Sequence, residues 1–287
     1  MIHSPYIRKN ASVQRVMSLV LLALVPGIAA YVWQFGAAIL VQLALATVTA
    51  LAAEALVMRL RRRPLRPTLG DLSAVVTAWL VVLSFPSLAP WWLTVFGVLV
   101  AILVAKHLYG GLGQNPFNPA MVAFCTMIVA YPSLMSQWPM PGAGFGFAGG
   151  RGWEWIALGY LAGGLFLLAT RVITWHMPVV FIAALIAIAG VFWVVDPATH
   201  ASPLFHLASG GSMLAAFFIL TDPVSGATTP RGKLLFAIGV ALIAWLIRSF
   251  GAYPDGIAFG VLLMNMCVPL IDMKTQPTVF GHRGGSR

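Results

Sequence analysis

"TDPVSGATTPRGK", residues 221–233, is a polar, Gly- and Thr-rich break between two long apolar runs. Which side of a membrane it faces decides how the rest of the chain is read. The chain has 287 residues, of which 60% are hydrophobic and only 8% charged. Soluble domains carry about 25% charged residues. The composition therefore points to an all-α integral membrane protein. The net charge of +10 sits at the ends of apolar runs, as the positive-inside rule requires, and does not form a nucleic-acid surface. Cys125 and Cys267 both fall inside apolar runs, which argues against a disulfide framework or a protein-held metal cluster.

Working outward from 221–233, ten apolar stretches lie near 16–34, 37–58, 72–88, 91–108, 119–134, 154–170, 178–195, 206–220, 234–250 and 256–272. A bilayer core of ~30 Å needs about 20 apolar residues of helix. The first stretch, Val16 to Trp33, exceeds the roughly 7–15 residues of a signal-peptide core and reads as a retained span. With the N-terminus in the cytoplasm, 15 of the 17 Lys and Arg fall on the cytoplasmic side, leaving Arg151 and Arg248 outside. The opposite orientation inverts that split. Both termini and the 221–233 loop are therefore expected in the cytoplasm.

The chain also matches itself. Leu83-Ser84-Phe85-Pro86 ends the third stretch and Leu220-Thr221-Asp222-Pro223 the eighth, an offset of 137 residues. The same offset carries Pro132 onto Pro269 and Asn118 onto Asp255. Each half then holds five spans, and an odd number turns the second half upside down. The expected architecture is ten transmembrane helices in two inverted five-helix repeats, residues 1–150 and 151–287. Inverted repeats of this kind build sites where the halves meet, with helices broken nearby.

A second polar insert, "KHLYGGLGQNPFNPA" at 106–120, also falls on the cytoplasmic side. Irregular backbone at a membrane boundary must be buried in protein or line a cavity. Gly113 allows close approach to a ligand, and Asn115 and Asn118 offer both donors and acceptors to a heterocyclic edge. The competing reading is a turn with Asn118 as a helix cap. In 221–233, Asp222 follows an apolar span directly, where an acid is costly and functional by default. Gly226 and Thr228 stand beside it. Thr228 and Thr229 either contact a ligand hydroxyl or cap the helix starting near Arg231. Glu54 is read as snorkelling to the basic cluster at 59–66, Asp71 and Asp255 as span openers, and Glu154 and Asp196 as solvated. Asp222 and Asp272 share a face and suit cation entry. The Gly/Ala-rich stretch 159–164 suits packing against a neighbouring subunit. The histidines have no metal-ligand spacing.

"VPGIAA", "APWW", "KHLYGGLGQNPFNPAM", "FFILTDPVSGATTPRGKL", "LIRSFGAYPDGIAF" and "VPLIDMKTQPTVFGHR" together resemble the D subunits of the Rnf complex, the ferredoxin:NAD oxidoreductase that moves Na⁺ or H⁺. They are similar, more distantly, to the B subunit of the Na⁺-translocating NADH:quinone oxidoreductase. The resemblance implies ten helices in two inverted halves, a bacterial inner membrane, and flavin as cofactor. It implies partners as well: two membrane subunits, an extracytoplasmic flavoprotein, and cytoplasmic iron–sulfur and NADH-reacting subunits. One implied flavin is FMN joined to a threonine of a Ser-Gly-Ala-Thr motif in a long extracytoplasmic loop after the fifth span. Here that loop is only about 133–153 and holds no threonine. Ser225-Gly226-Ala227-Thr228 has the right letters on the wrong face, so Thr228 is not the expected anchor.

What the resemblance leaves is a noncovalent riboflavin or FMN. Its expected site is Gly113, Asn115 and Asn118 from one half with Asp222, Gly226 and Thr228 from the other; Asp222 and Asp272 serve the ion path. Two other readings remain from the residues: an inverted-repeat channel or permease for small solutes, and a cofactor-free scaffold subunit.

Overall fold

The structure is a computed structural model and describes residues 12–138, 152–251 and 255–276. The Gly-rich run 142–150, Arg151, most of the 133–153 loop and the tail beyond Gln276 lie outside the described residues.

The described chain is helical, with no strand among the described residues. Helix α1 (Val13–Phe35) is capped by Ser12, whose hydroxyl accepts from the Arg15 amide, and it stops at Gly36, where φ is +84°. Then come α2 (Ala38–Leu60), the short α3 (Leu65–Leu69) and α4 (Ser73–Ser84). Asp71 opens α4 by accepting from the Ser73 amide at 2.7 Å. Phe85 takes extended backbone ahead of Pro86 and ends it. Helix α5 (Trp91–Leu99) runs on as a π-helical segment over Val100–His107. After it lie α6 (Pro119–Ala130), α7 (Pro132–Met135), α8 (Trp153–Ala169) and α9 (His176–Val195). Helix α10 (Pro203–Ala208) precedes α11 (Ser212–Leu214), which continues as π-helix over Ala215–Ile219. Helices α12 (Pro230–Phe250) and α13 (Ile257–Thr275) complete the described residues.

Each of the ten apolar stretches contains helix, but not all are whole spans. Among the described residues six helices are long and apolar enough to cross a membrane, and Trp91–His107, Pro119–Ala130 and Trp153–Ala169 are shorter apolar helices. The 12 residues of α6 rise only about 18 Å. The stretch expected as one span over 206–220 is broken. Gly210 (φ +59°) and Gly211 (φ +67°) turn the chain between α10 and α11.

Between lipid-facing helices there is no hydrophobic gain, so close van der Waals packing must hold them together. The closest packing is α1 against α8. A Cβ placed on Gly163 would overlap the Ala23 carbonyl oxygen, and one on Gly159 would sit 2.7 Å from the Gly27 Cα. This corrects the expectation for 159–164: its small face is used inside the chain, because only glycine lets these two backbones touch. Helix α12 packs on α9 and α13, with Trp245 fully buried against Phe192. Cys125 is half-buried, whereas Cys267 is exposed on α13.

Candidate functional site

Helices α1 and α4, the first π segment and α6 bring one cluster of polar groups to the end of the molecule where α1 begins. Asn118 caps α6, accepting from the amides of Ala120 (3.0 Å) and Met121 (3.2 Å). Its own amide donates to Asn265 Oδ1 on α13 at 3.1 Å, and its side-chain nitrogen donates to the Ile219 carbonyl. Asn265 in turn donates to the Ser225 carbonyl at 2.9 Å. One asparagine pair thus ties the 106–120 insert to the 221–233 loop. Asn115 donates to the Phe117 carbonyl and fixes the turn into α6.

A cavity of about 160 Å³ lies there, lined by Lys106, Ser73, Asn115, Asn118 and Asp222 among others. Asp222 closes a turn: its carboxylate accepts from the Ser225 hydroxyl at 2.6 Å and from the Val224 amide at 3.2 Å. Burial nevertheless pushes its carboxyl above the usual range. The sequence-predicted residues are only partly brought together. Asn115, Asn118 and Asp222 share the cavity wall; Gly113, Gly226 and Thr228 do not. Gly113 serves its backbone, with φ at +84° and open space where a Cβ would lie. Gly226 is buried, and a Cβ there would press at 3.0 Å on the Asp222 carbonyl and on Met177. Thr228 is held by Asp272, which accepts from its amide (3.0 Å) and its hydroxyl (2.8 Å). Thr229 caps α12, accepting from the Gly232 amide. Asp272 is therefore a clamp on the loop, and the structure does not bring it to the cavity wall with Asp222.

Beside this cavity sits a group that local sequence pattern misplaces. Glu54 does not snorkel; it is fully buried. Lys106 Nζ donates to its Oε1 at 2.6 Å, and His107 Nε2 lies 3.2 Å from the same oxygen. Lys106 also donates to the Ser73 hydroxyl at 2.8 Å. Charge counting marks Lys106 only as a topology anchor, and its partner lies 52 residues away, beyond the reach of local pattern. A signal does exist in the sequence: an acid inside an apolar span. Asn265, another polar residue inside an apolar run, carries the same signal.

A wider cavity of about 630 Å³ lies at the opposite end, where α1 ends and α8 and α13 begin. Its wall includes Trp138, Trp153, Tyr160, His206, Arg248 and Asp255. Arg248, one of the two basic residues the charge rule leaves outside, holds the broken helix open. It donates to the carbonyls of His206 (3.1 Å) and Gly210 (2.6 Å) and to Ser212 Oγ, and it pairs with Asp255 at 3.3 Å. Tyr160 Oη, His206 Nδ1 and Arg248 Nε are buried without a hydrogen-bond partner. Glu154, expected to be solvated, is buried and accepts from the Gly152 amide at the start of α8. Among the described residues no cluster of His, Cys, Asp or Glu is suited to a metal ion.

Three relatives extend these observations over the whole chain. It is 42% identical to the D subunit of the ion-translocating oxidoreductase complex of Erwinia tasmaniensis, covering 98% of each chain. The same protein of Yersinia pseudotuberculosis is 42% identical over 99% of each, and that of Escherichia coli strain SE11 is 43% identical over 98% of each. The first alignment runs over 346 positions against 287 residues here, so at least 59 positions (346 less 287) have no counterpart in this chain. Residues 1–145 and 142–281 match the family described as NQR2, RnfD, RnfE, and the two matched segments meet inside the 133–153 loop. By these matches, this chain belongs to the NQR2, RnfD, RnfE family.

Proposed function

We propose that this chain is the D-type membrane subunit of an Rnf-type complex, passing electrons between ferredoxin and NAD and coupling that flow to Na⁺ or H⁺ movement. The carrying observation is its 42–43% identity, over nearly the full length of both chains, to subunits named for an ion-translocating oxidoreductase complex. It sits in a bacterial inner membrane with both termini cytoplasmic, which puts the 160 Å³ cavity on the cytoplasmic side. It works with two further membrane subunits, an extracytoplasmic flavoprotein, and cytoplasmic iron–sulfur and NADH-reacting subunits.

The ten helical segments form two inverted halves, 1–150 and 151–287. In support, the 137-residue offset carries α1 onto α8 and α6 onto α13, and each of these pairs packs together. Both cavities lie where the halves meet.

The cofactor is a noncovalent flavin, riboflavin or FMN, which supplies the electron-transfer chemistry when bound. Asn115, Asn118 and Asp222 offer donors and acceptors to a ring edge. Their cavity of about 160 Å³ is below the ~300–1,000 Å³ usual for small-molecule sites, so it must open to admit a ring. The opposite cavity fits without opening, at about 630 Å³. Its aromatic wall of Trp138, Trp153 and Tyr160 suits a planar heterocycle. Of these two, the wide cavity has room for the ring and the narrow one offers the edge chemistry. Asp222 stands at the ion entrance, and Asp272 holds the loop that carries it.

The test is flavin content of the purified complex. A denaturing gel under ultraviolet light should show no fluorescent band for this subunit, and acid should release more flavin than the other subunits explain. Arg248→Ala should empty the wide seat, and Asn118→Ala with Asp222→Ala the narrow one. A fluorescent subunit band returns Thr228 as an anchor. Full flavin in both variants, or no excess flavin at all, leaves a scaffold subunit.

A further inference from the structure

We propose that Glu54, Lys106 and His107 form a proton-loading site, in which the Glu54 carboxylate exchanges its Lys106 ammonium partner for a proton. The proposal rests on the reading that the complex moves ions, and it assigns one of the two candidate ions to named residues. Nothing in the established family membership assigns these side chains a role.

The observations converge from three elements. Glu54 on α2 is fully buried, Lys106 and His107 on the first π segment are 2% and 3% exposed, and Ser73 on α4 is buried beside them. A buried ion pair often contributes less to stability than apolar side chains of the same volume. Here the pair is also incompletely satisfied: Glu54 Oε2 and His107 Nδ1 have no hydrogen-bond partner. Both nitrogens instead crowd onto the single oxygen Oε1. The backbone explains how. Neighbouring residues of an α-helix point about 100° apart. In the wide π turn, with the Leu108 amide bonded to the Leu103 carbonyl, Lys106 and His107 meet the same carboxylate. Such turns recur at functional sites.

The cluster also has an entrance. Lys106 and Ser73 form part of the wall of the 160 Å³ cavity, which Asp222 also lines. Lys106 therefore has somewhere to go: its hold on Ser73 keeps it at the wall when it leaves Glu54. Arg61 donates to the carbonyls of His107 and Gly110 and anchors the end of the π segment from the α2 side.

The chemistry balances simply. An aqueous acid in the cavity gives up one proton, and one O–H bond forms on Glu54. Lys106 keeps all three hydrogens and turns to the cavity, so the cluster gains one positive charge. That gain compensates a negative charge arriving nearby, which is what electron transfer delivers. A metal cation is a poorer occupant, since hard cations take a shell of oxygen ligands. The groups acting on the Glu54 charge are Lys106 and His107, both nitrogen donors.

The experiment uses the intact complex in proteoliposomes, with a pH dye and radioactive sodium read against electrons transferred. Wild type should move protons, and Glu54→Gln should lower protons per electron at least tenfold. The double variant Glu54→Gln with Lys106→Met removes both charges and leaves no unpaired buried ion. It should assemble like wild type and stay equally deficient. Redox-difference infrared spectra should show a protonated-carboxyl band in wild type that both variants lack. Recovery of the wild-type proton ratio by the double variant reduces the pair to a structural tie and overturns the proposal. Sodium movement without proton movement in wild type overturns it too, while leaving the functional reading intact. A wild-type complex that couples electron flow to neither ion overturns both.

Discussion

The wide and narrow cavities lie at opposite ends of the molecule, and they are built in different ways. At the narrow end, the side chains of the two loops are engaged with backbone, Asn118 on α6, Asn265 on the Ser225 carbonyl, Asp272 on Thr228 and Asp222 on its own turn, while the Glu54–Lys106–His107 cluster beside them is bonded through side chains. At the wide end, Trp138, Trp153, Tyr160, His206 and Arg248 wall about 630 Å³. A loop that looks like a ligand site in sequence is thus largely a loop that satisfies its own hydrogen bonds. Space for a ligand appears instead where helices break and aromatic side chains meet.

The comparison breaks most severely at the buried charges beside the narrow cavity. Glu54→Ala leaves Lys106 without its counter-ion and should cost about 3–5 kcal/mol, read as a large fall in thermal unfolding temperature of the detergent-solubilised complex. Next comes Gly163→Ala, whose Cβ would overlap the Ala23 carbonyl oxygen. Overpacking costs about 1–3 kcal/mol, and here the obstacle is backbone, so the upper part of that range is expected in the same assay. Asn118→Ala removes the α6 cap and should cost about 1–2 kcal/mol. If it costs nothing, the narrow end is not held as described.

Smaller effects sharpen the contrast. Thr228→Ala loses one hydrogen bond to Asp272 and should cost about 0.5–1.5 kcal/mol, with Asp272→Asn costing more because it weakens the amide contacts too. The smallest effect concerns pH. Burial raises the Asp222 carboxyl above 3.8, so the folded protein binds this proton more tightly than the unfolded chain does. Its contribution to stability is complete below 3.8 and is lost as pH rises through the raised value. Asp222→Asn should flatten that part of the stability–pH curve, measured by thermal unfolding across mildly acid buffers.

Much of the fold is legible in sequence because membrane helices announce themselves locally. Asn118 as a cap, Asp71 before α4 and Thr229 before α12 follow from nearest neighbours, and all three hold. What escapes needs a partner from elsewhere in the chain. Local pattern pairs Glu54 with the arginines that follow it, yet its partner comes from the first π segment. The 159–164 stretch suits another subunit equally well on paper, because sequence cannot tell which backbone a glycine face will meet. The break at 209–211 hides inside an apolar run, and Arg248, which holds it, lies 38 residues on from Gly210. Polarity alone groups Gly226 and Thr228 with Asn118, whereas the loop turns Thr228 toward Asp272.

The glycine contact between α1 and α8 has a consequence for how the protein is made. Helix α1 ends at Phe35, and α8 does not begin until Trp153. Translation at ≈5–20 residues per second separates them by roughly 6–24 s. Through that interval α1 has its notched face against lipid tails, without the backbone that later fills it. A ribosome stalled before codon 153 would leave α1 unmatched, a natural substrate for membrane quality control. The α1–α8 contact is therefore closed late, when α8 meets a helix made more than a hundred residues earlier.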